Sequence, residues 1–285
     1  MTVQEALAFG HSQLRHTSPT PALDARLLLQ YLLGVDHSFL VAHDDEPLTI
    51  DQEQQYQALI SRARQKEPIP YITGTAPFYG LDFLVTPAVL IPRPETEQMV
   101  DAALVWARER LSSQPDTPLR LVDVGTGSGC IAIILARNLP QARVDAVDVS
   151  ADALAIARQN AQRYAPSRVH FHLGHLLTPV DHQPDLITAN LPYIGNEEWT
   201  TLDDGVKLYE PVLALRGGPG GLEVIEELLK QATLSLSAGG AIFLEVGWQQ
   251  GPAARQLAQS YFPEAQVGVI PDYAGRDRII ALRTG

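Results

Sequence analysis

From Leu119 to the C-terminus, short apolar runs alternate with amphipathic runs at helical spacing, and this alternation constrains the fold more than any other feature. Strands are predicted at residues 119–124, 143–149, 169–173, 185–189, 240–246, 266–270 and 278–282, and helices at 131–138, 151–164 and 221–237. A strand that leads into a helix and then into the next strand builds a parallel sheet with helices on both faces. The pattern therefore predicts an α/β fold around a mostly parallel, seven-stranded sheet.

The first 66 residues differ from this pattern, because their apolar positions repeat at helical spacing. Three helix starts are predicted from an N-cap threonine and its partner: Thr2 with Glu5, Thr20 with Pro21, and Thr49 with Gln52. Between residues 68 and 98, prolines interrupt short β-branched and aromatic runs, and residues 78–85 are typical of a hairpin. We therefore predict a helical domain at 1–67, a connector with a β-hairpin at 68–98, and the α/β domain at 99–285.

The bulk composition narrows the kinds of partner and compartment. The 285-residue chain has a formal net charge of −12, whereas a protein that binds duplex DNA usually carries a basic face. The single cysteine, Cys130, excludes an internal disulfide. No run approaches the roughly 20 apolar residues that span a bilayer, and the N-terminal segment does not resemble a signal peptide. We expect a soluble, cytoplasmic protein without a stable nucleic-acid or membrane partner.

The first predicted strand of the α/β part runs directly into a glycine-rich turn, Gly125-Thr126-Gly127-Ser128-Gly129. Glycines at this place let the backbone turn tightly and approach a ligand closely, and the helix that follows begins with free N–H groups. The next strand ends at Asp148, where a carboxylate can accept hydrogen bonds from ribose hydroxyls. NAD is the competing ligand, but the spacing lacks the G-x-G-x-x-G pattern that accommodates a pyrophosphate. The turn and the acid together favour S-adenosylmethionine as cofactor, with S-adenosylhomocysteine as product.

Other interpretations of these residues stay open. A tight turn without any ligand also explains the glycines when they are taken alone. Asp148 could be an N-cap, although Ser150 already suits that place. His175 and Leu176 follow the third strand, beside the expected adenine position, and Leu176 is predicted to pack on the ring. Ordinary core or surface roles are equally compatible with these two residues.

The fourth strand ends in Asn190-Leu191-Pro192-Tyr193, at the edge where ligands bind in an open parallel sheet. An amide nitrogen is a poor nucleophile because its lone pair is delocalised, so it needs positioning more than deprotonation. The Asn190 side-chain oxygen and the Leu191 carbonyl can accept the two N–H groups of such a target. Pro192 restricts Leu191 to extended conformations, and Tyr193 offers a flat stacking face. The tetrad predicts metal-free methyl transfer to a planar amide-type nitrogen, and a plain Asn-x-Pro turn is the alternative.

With these motifs the chain resembles the HemK-type peptide chain release factor glutamine N5-methyltransferases almost from end to end. The runs that carry the resemblance are LDARLLL at 23–29, PYITG at 70–74, FYGL at 78–81, IPRPETE at 91–97, YEP at 209–211, GGL at 220–222 and AGRDR at 274–278. The resemblance implies a class I S-adenosylmethionine-dependent methyltransferase fold, Rossmann-like, with a small N-terminal helical bundle domain. It implies as substrate the glutamine of the Gly-Gly-Gln loop in class I release factors, and a docking role for the helical domain.

The resemblance also implies roles for single residues. The turn at 125–129, Asp148 and Asn190 carry over as cofactor contacts, and the tetrad at 190–193 carries over as the clamp for the glutamine. Two positions depart from the family pattern. Leu191 replaces the first proline of the usual Asn-Pro-Pro-Tyr, but its backbone carbonyl remains, so we expect the clamp to survive. His175 stands where an acidic residue is common, and a histidine accepts from the adenine amine only through an unprotonated ring nitrogen.

Three other functions share some of these features. Adenine-N6 DNA methyltransferases use the same tetrad on a flipped base, but the acidic balance and the lack of a basic target-recognition domain disfavour that function. A sister family methylates a glutamine on a ribosomal protein, and its N-terminal domain differs from this one. A non-enzymatic cofactor-binding scaffold would not require an intact tetrad. The sequence therefore favours a protein-(glutamine-N5) methyltransferase that acts on release factors.

Overall fold

The computed structural model describes residues 1–115 and 117–285, and the chain forms two units. The first unit comprises Met1–Thr75 and Asp203–Tyr209, and the second comprises Ala76–Leu202 and Glu210–Gly285. The short segment at 203–209 belongs to the first unit although it lies far away in the sequence. No helix in the described ranges is long and apolar enough to cross a bilayer.

Helices and strands succeed one another along the chain as follows. The elements are α1 (Val3–Leu14), α2 (Pro21–Leu33), α3 (His37–Ala42), α4 (Ile50–Arg64), α5 (Ile69–Thr73), β1 (Thr75–Phe78), β2 (Leu81–Leu84), α6 (Pro94–Ser113), β3 (Arg120–Val124), α7 (Cys130–Asn138), β4 (Arg143–Asp148), α8 (Ala151–Tyr164), β5 (Val169–Leu173), β6 (Leu186–Ala189), α9 (Asn196–Thr201), α10 (Asp204–Tyr209), a 3₁₀ turn (Val212–Ala214), α11 (Glu223–Ser235), β7 (Ala241–Glu245), α12 (Gly251–Tyr261), β8 (Gln266–Pro271) and β9 (Asp277–Arg283).

The first unit is helical, and α1, α2 and α4 begin where the sequence signals predict. The Thr2 hydroxyl accepts from the Glu5 amide while the Glu5 carboxylate accepts from the Thr2 amide, and Thr49 forms the same reciprocal box with its partner three residues on. Pro21 occupies the first position of α2, which ends at a left-handed Gly34. Apolar residues from α1, α2, α3, α4 and α5 form one core around the buried Tyr56, whose hydroxyl donates to the Ala25 carbonyl at 3.0 Å. Packing of amphipathic faces therefore holds these helices together.

A seven-stranded sheet forms the centre of the second unit, with strand order β5-β4-β3-β6-β7-β9-β8. Every neighbouring pair is parallel except those that involve β9, which runs antiparallel to β7 and to β8. The prediction of a mostly parallel sheet is confirmed. From β3 the chain goes to β4 on one side, whereas β6 pairs with β3 on the other side. Ligands bind at such a reversal, outside the carboxyl ends of the strands.

Both faces of this sheet are covered by apolar layers. One buried cluster joins α6, α7 and the β1–β2 hairpin to the sheet, and the other joins α11 and α12 to it. The central strands β6 and β7 are buried along their whole length. Strands covered on both faces read as continuous apolar runs, which is why they could be recognised from the sequence.

Several elements differ from the prediction. Helix α12 is absent from it, because its buried positions are only Gly251, Ala254 and Ala258, which give a weak apolar signal. The hairpin strands lie at 75–78 and 81–84, so the hairpin begins three residues before the predicted span of 78–85 and its second strand lies within that span. Helix α6 begins at Pro94, as the proline and the acidic first turn allow, so the expected boundary at 98/99 falls inside a helix.

Candidate active site

A cavity of about 420 Å³ opens at the carboxyl ends of β3, β4, β5 and β6. Its wall is formed by residues 124–128 of the glycine turn, residues 147–150, residues 174–176, residues 190–192, six residues between Ala88 and Thr96, and four between Pro211 and Arg216. All of these residues belong to the second unit. The volume is within the range of pockets that bind small molecules and cofactors.

The glycine turn has a conformation that side chains disfavour. Gly125, Gly127 and Gly129 all have positive φ, at 72°, 54° and 81°. The Gly125 and Thr126 amides donate to the Val147 carbonyl on the neighbouring strand at 2.9 and 3.0 Å. A Cβ at Gly127 would meet no atom within 4 Å, so the backbone there is open to a ligand. A Cβ at Gly129 would instead lie 3.1 Å from the Ala157 Cβ, because α7 and α8 pass close together.

Hydrogen bonds from the protein's own backbone hold the Asp148 carboxylate in place. One oxygen accepts from the Gly127 amide and the other from the Ser150 amide, both at 2.9 Å. Burial raises the pKa of Asp148, while these amide hydrogen bonds lower it. A carboxylate oxygen has two acceptor sites, so each oxygen retains capacity for a further donor. Ser150 itself caps α8 by accepting from the Ala153 amide, as the sequence suggested.

A second carboxylate, Asp123, supports the turn from below. It is completely buried at the end of β3 and accepts from the hydroxyls of Thr126 at 2.6 Å and Thr188 at 2.9 Å. Burial raises the pKa of Asp123 to about 7, against the opposing effect of these hydrogen bonds. It joins the turn to β6, since Thr188 lies on that strand. Asp123 was not predicted to be a site residue.

His175 and Leu176 both border the cavity. Leu176 is buried and has a positive φ of 51°, which is rare for a side chain of this kind. His175 is half exposed, and its Nε2 lies 3.0 Å from Glu227 Oε1 on α11. One ring nitrogen of His175 is thus engaged outside the cavity.

Asn190 is held by a chain of side chains that the sequence did not reveal. Its Nδ2 donates to Thr96 Oγ1 at 3.2 Å, and the Thr96 hydroxyl donates to Glu245 Oε2 at 2.6 Å. Thr96 is 2 % exposed and Glu245 is 0 % exposed. The amide of Asn190 therefore directs its nitrogen toward Thr96, and its oxygen, Oδ1, has no donor among the residues that the structure describes.

The backbone after Asn190 is fixed by a glycine-rich loop at 217–221. The Gly217 amide donates to the Ile194 carbonyl, and Ile194 donates in turn to the Leu215 carbonyl. Gly217 leaves no room for a Cβ, which would collide with the Pro192 carbonyl. Gln250 Nε2 donates to the Tyr193 carbonyl at 2.8 Å. The loop and Gln250 thus set the course of the tetrad's backbone.

Leu191 is buried, and its Cδ2 would touch a Cβ at Gly125, so the side chain packs directly against the turn. The replacement of the usual proline therefore fills space beside the glycine turn. Its carbonyl meets no protein donor among residues 1–115 and 117–285. Tyr193 is half-buried against the core next to α11 and α12, and it is not among the residues that border the cavity.

The segment that borders the other side of the cavity is anchored by Glu210. This buried carboxylate accepts from Arg93 Nη2 at 2.5 Å and from the Ile91 amide at 3.2 Å. Asn160 makes a similar link, since its Nδ2 donates to the carbonyls of Leu84 and Ser128 and its Oδ1 accepts from the Leu84 amide. Two motifs that the resemblance singled out, at 91–97 and 209–211, thus meet here.

Most of the predicted site residues come together around one cavity. Those that border it are Gly125, Thr126, Gly127, Ser128, Asp148, His175, Leu176, Asn190, Leu191 and Pro192. Gly129 and Tyr193 lie behind this layer, where they pack against α8 and the core respectively. The residues that sequence reasoning missed are Asp123, Asn160, Glu210 and Glu245, whose spacing in the chain gives no signal of contact. No group of three or more metal-ligating side chains occurs within the described residues.

The fold alone is shared with solved structures of low sequence identity. A methyltransferase from Pyrococcus furiosus is 18% identical with a TM-score of 0.52, and the match covers 81% of this chain and 98% of that one. The 16S rRNA N2 G1207 methyltransferase of T. thermophilus, in complex with AdoMet and guanosine, is 16% identical with a TM-score of 0.50, over 74% of this chain and 50% of that one.

Sequence comparison is more specific. The PrmC N-terminal domain matches residues 5–74, and the methyltransferase small domain matches residues 99–203. Relatives named release factor glutamine methyltransferase are 38% identical in Koribacter versatilis, over 99% of both chains, and 38% identical in Escherichia coli, over 98% of both chains. The Bacillus subtilis relative of the same name is 37% identical over 98% of this chain and 96% of its own. The chain therefore belongs to the family of release factor glutamine methyltransferases.

Proposed function

We propose that this chain transfers a methyl group from S-adenosylmethionine to the side-chain amide nitrogen of the glutamine in the Gly-Gly-Gln motif of a class I peptide chain release factor. The observation that carries the proposal is that Asn190 and Leu191 border the same cavity as the glycine turn and Asp148, while Asn190 Nδ2 is engaged by Thr96. The groups proposed to bind the amide and those proposed to bind the nucleoside of the cofactor thus border the same cavity.

The residues present fit the cofactor. Gly127 lets the backbone approach a ligand, Asp148 has acceptor capacity for ribose hydroxyls, and Leu176 offers an apolar surface for a purine. When bound, S-adenosylmethionine supplies an electrophilic methyl group on a sulfonium centre. The residues of this chain need only orient the acceptor and keep water away from it.

The clamp acts on the nitrogen by positioning. Asn190 Oδ1 and the Leu191 carbonyl each accept one N–H of the glutamine amide, which fixes the plane of its NH₂ group. Both acceptors also stabilise the positive charge that develops on nitrogen as it forms the new N–C bond. The methyl–sulfur bond would break as the N–C bond forms, and one of the two N–H protons would then pass to water, which restores the neutral amide. No side chain has to remove a proton beforehand.

The helical unit is assigned to recognition of the protein substrate. It carries the match to the PrmC N-terminal domain. It has its own apolar core, and the residues that border the cavity belong to the other unit. A separate module of this kind is suited to contact a release factor at a distance from the reacting glutamine.

Methyl transfer from labelled S-adenosylmethionine tests the substrate. The acceptors are a purified class I release factor, the same factor with its Gly-Gly-Gln glutamine changed to alanine, ribosomal protein and duplex DNA. We expect label on the intact factor alone. Label on ribosomal protein or on DNA would reassign the substrate, and equal label on the altered factor would refute the glutamine target.

Asn190→Ala tests the clamp. We expect kcat to fall by about 100-fold or more, as for loss of a preorganised hydrogen-bonding group, with cofactor affinity nearly unchanged. The matched control is Asn138→Ala, since Asn138 is also half-buried and donates to the Ile134 carbonyl at the far end of α7. Near-normal turnover of Asn190→Ala would show that the clamp is assigned to the wrong residue.

A further inference from the structure

Glu245 is an ionisable group in a place where an uncharged side chain would cost less. It ends β7, is fully buried, and only one of its two oxygens has a hydrogen-bond partner among the described residues. That partner is the Thr96 hydroxyl at 2.6 Å. Burying a carboxylate that has an oxygen without a partner is unfavourable, and an uncharged side chain of the same shape would avoid this cost. The presence of a carboxylate at this position therefore needs an explanation.

The donors and acceptors that each group possesses determine which atom donates in the hydrogen bonds that link Asn190, Thr96 and Glu245. In its ionised form the Glu245 carboxylate only accepts, so in that form Thr96 gives its single hydroxyl proton to Glu245. The Thr96 oxygen can then only accept from Asn190, and the contact at 3.2 Å must come from Nδ2. Asn190 consequently presents Oδ1, an acceptor, to the cavity.

A protonated Glu245 would remove this constraint. Its O–H could donate to Thr96, which would free the Thr96 proton for Asn190 Oδ1. Both orientations of the Asn190 amide would then satisfy Thr96, and in one of them the amide would present N–H groups to the N–H groups of the substrate. Donors facing donors cannot clamp an amide, so the neutral form of Glu245 is the wrong one for transfer.

We propose that Thr96 and Glu245 are positioning residues of the methyl-transfer site, and that the negative charge of Glu245 sets the orientation of the Asn190 amide through the Thr96 hydroxyl. The proposal rests on the proposed function, since it specifies how the clamp is aimed. Neither residue touches the substrate amide in this scheme. Both act through Asn190.

The surroundings of Glu245 determine the pH range in which this control operates. The charged and titratable groups that face it are Arg93, Glu95, Cys130, Tyr193 and Arg278. Burial raises the pKa of Glu245 above its ordinary value, Arg278 and Arg93 oppose this effect, and Glu95 adds to it. Activity should therefore be lost as the pH falls through the raised pKa of this carboxyl.

Steady-state kinetics with a release factor as substrate distinguishes a hydrogen-bond relay from Glu245 through Thr96 to Asn190 from a role of these residues in packing alone. Glu245→Gln keeps the shape but adds a donor, and Thr96→Val keeps the shape but removes the hydroxyl. We expect each to lower kcat by roughly tenfold, with KM for the release factor and cofactor affinity nearly unchanged. Thr96→Ser keeps the hydroxyl and should recover most of the kcat that Thr96→Val loses. The acid limb of the wild-type kcat profile should disappear in Glu245→Gln, and an unchanged kcat and profile would overturn the proposal.

A second measurement does not depend on any acceptor protein. In protein labelled with ¹⁵N-asparagine, the Asn190 Nδ2 signals are identified by their loss in Asn190→Ala. We expect them to shift as the pH is lowered in the wild type, and to shift and exchange faster with water in Thr96→Val but not in Thr96→Ser. Signals insensitive to pH and to Thr96→Val would refute the relay. If they respond but the wild type methylates no release factor, the proposed function fails while the relay stands.

Discussion

Two glycines in the same turn are expected to differ in how strongly an added methyl group destabilises the protein. Gly127 and Gly129 both have positive φ, at 54° and 81°, but their surroundings differ. A Cβ at Gly127 would enter open space, whereas a Cβ at Gly129 would lie 3.1 Å from Ala157 Cβ and 3.3 Å from Ala157 Cα. Ala157 is a buried residue of α8 and cannot move aside alone. Gly129→Ala should therefore destabilise the protein more than Gly127→Ala.

The magnitude follows from two separable contributions. Placing an alanine in the left-handed region costs about 1–2 kcal/mol at either position. Only Gly129→Ala adds an overpacked contact between α7 and α8, at about 1–3 kcal/mol. Alanine also reduces the entropy of the unfolded chain, by the same amount in both variants, so this effect cancels in the comparison. We expect the free energy of unfolding to differ between the variants by about 1–3 kcal/mol.

Urea unfolding without cofactor, followed by far-UV circular dichroism, measures this difference through the midpoints of the two variants. Omitting the cofactor removes any effect of the extra methyl group on the ligand. Equal midpoints, or a lower midpoint for Gly127→Ala, would mean that the packing of the turn against α8 is wrong.

Three further results are expected from carboxylates described above. Asp148→Ala and Asp148→Asn should both weaken cofactor binding in calorimetry, while Asp152→Ala, which alters an exposed carboxylate on α8, should not; unchanged affinity would remove Asp148 from the ribose. Glu210→Gln should lower the free energy of unfolding by about 1–3 kcal/mol, because it weakens a buried charged hydrogen bond. The control Glu67→Gln, in an exposed pair, should lower it by about 0–1 kcal/mol, and equal losses would contradict the prediction. Burial raises the pKa of Asp123 from 3.8 to about 7, so the wild type should lose stability relative to Asp123→Asn as the pH rises across that range. The loss should reach up to about 4 kcal/mol, and parallel stability profiles of the two proteins against pH would contradict the raised pKa.

The sequence allowed the sheet and much of the candidate site to be predicted, and the reason is local. Buried parallel strands such as β6 and β7 are continuous apolar runs, and a glycine turn or an Asn-x-Pro turn is recognised from adjacent residues. The carboxyl ends of parallel strands share one edge, so motifs that follow the strands had to meet there. For this reason the sequence predicts that the turn at 125–129, Asp148 and the tetrad lie at one site.

Contacts between distant residues could not be predicted in this way. Glu245 ends an apolar strand and is 149 residues from Thr96, and neither residue carries a local signal of their hydrogen bond. Glu210 and Arg93 are 117 residues apart, although both lie in runs that the resemblance had marked. Helix α12 escaped because alanines and a glycine form its buried face. In each case the determining information is the three-dimensional path of the chain.

The glycine loop that fixes the backbone after Asn190 has a consequence for synthesis of the protein. Gly217, Leu215 and Gln250 hold Ile194 and Tyr193, and all three follow them in the sequence. A nascent chain that ends near residue 210 already contains the glycine turn and the tetrad, yet it lacks the three residues whose hydrogen bonds hold the backbone of Tyr193 and Ile194. The clamp is thus one of the last features to be completed during translation, and truncated chains would contain the nucleoside motif without a working acceptor site.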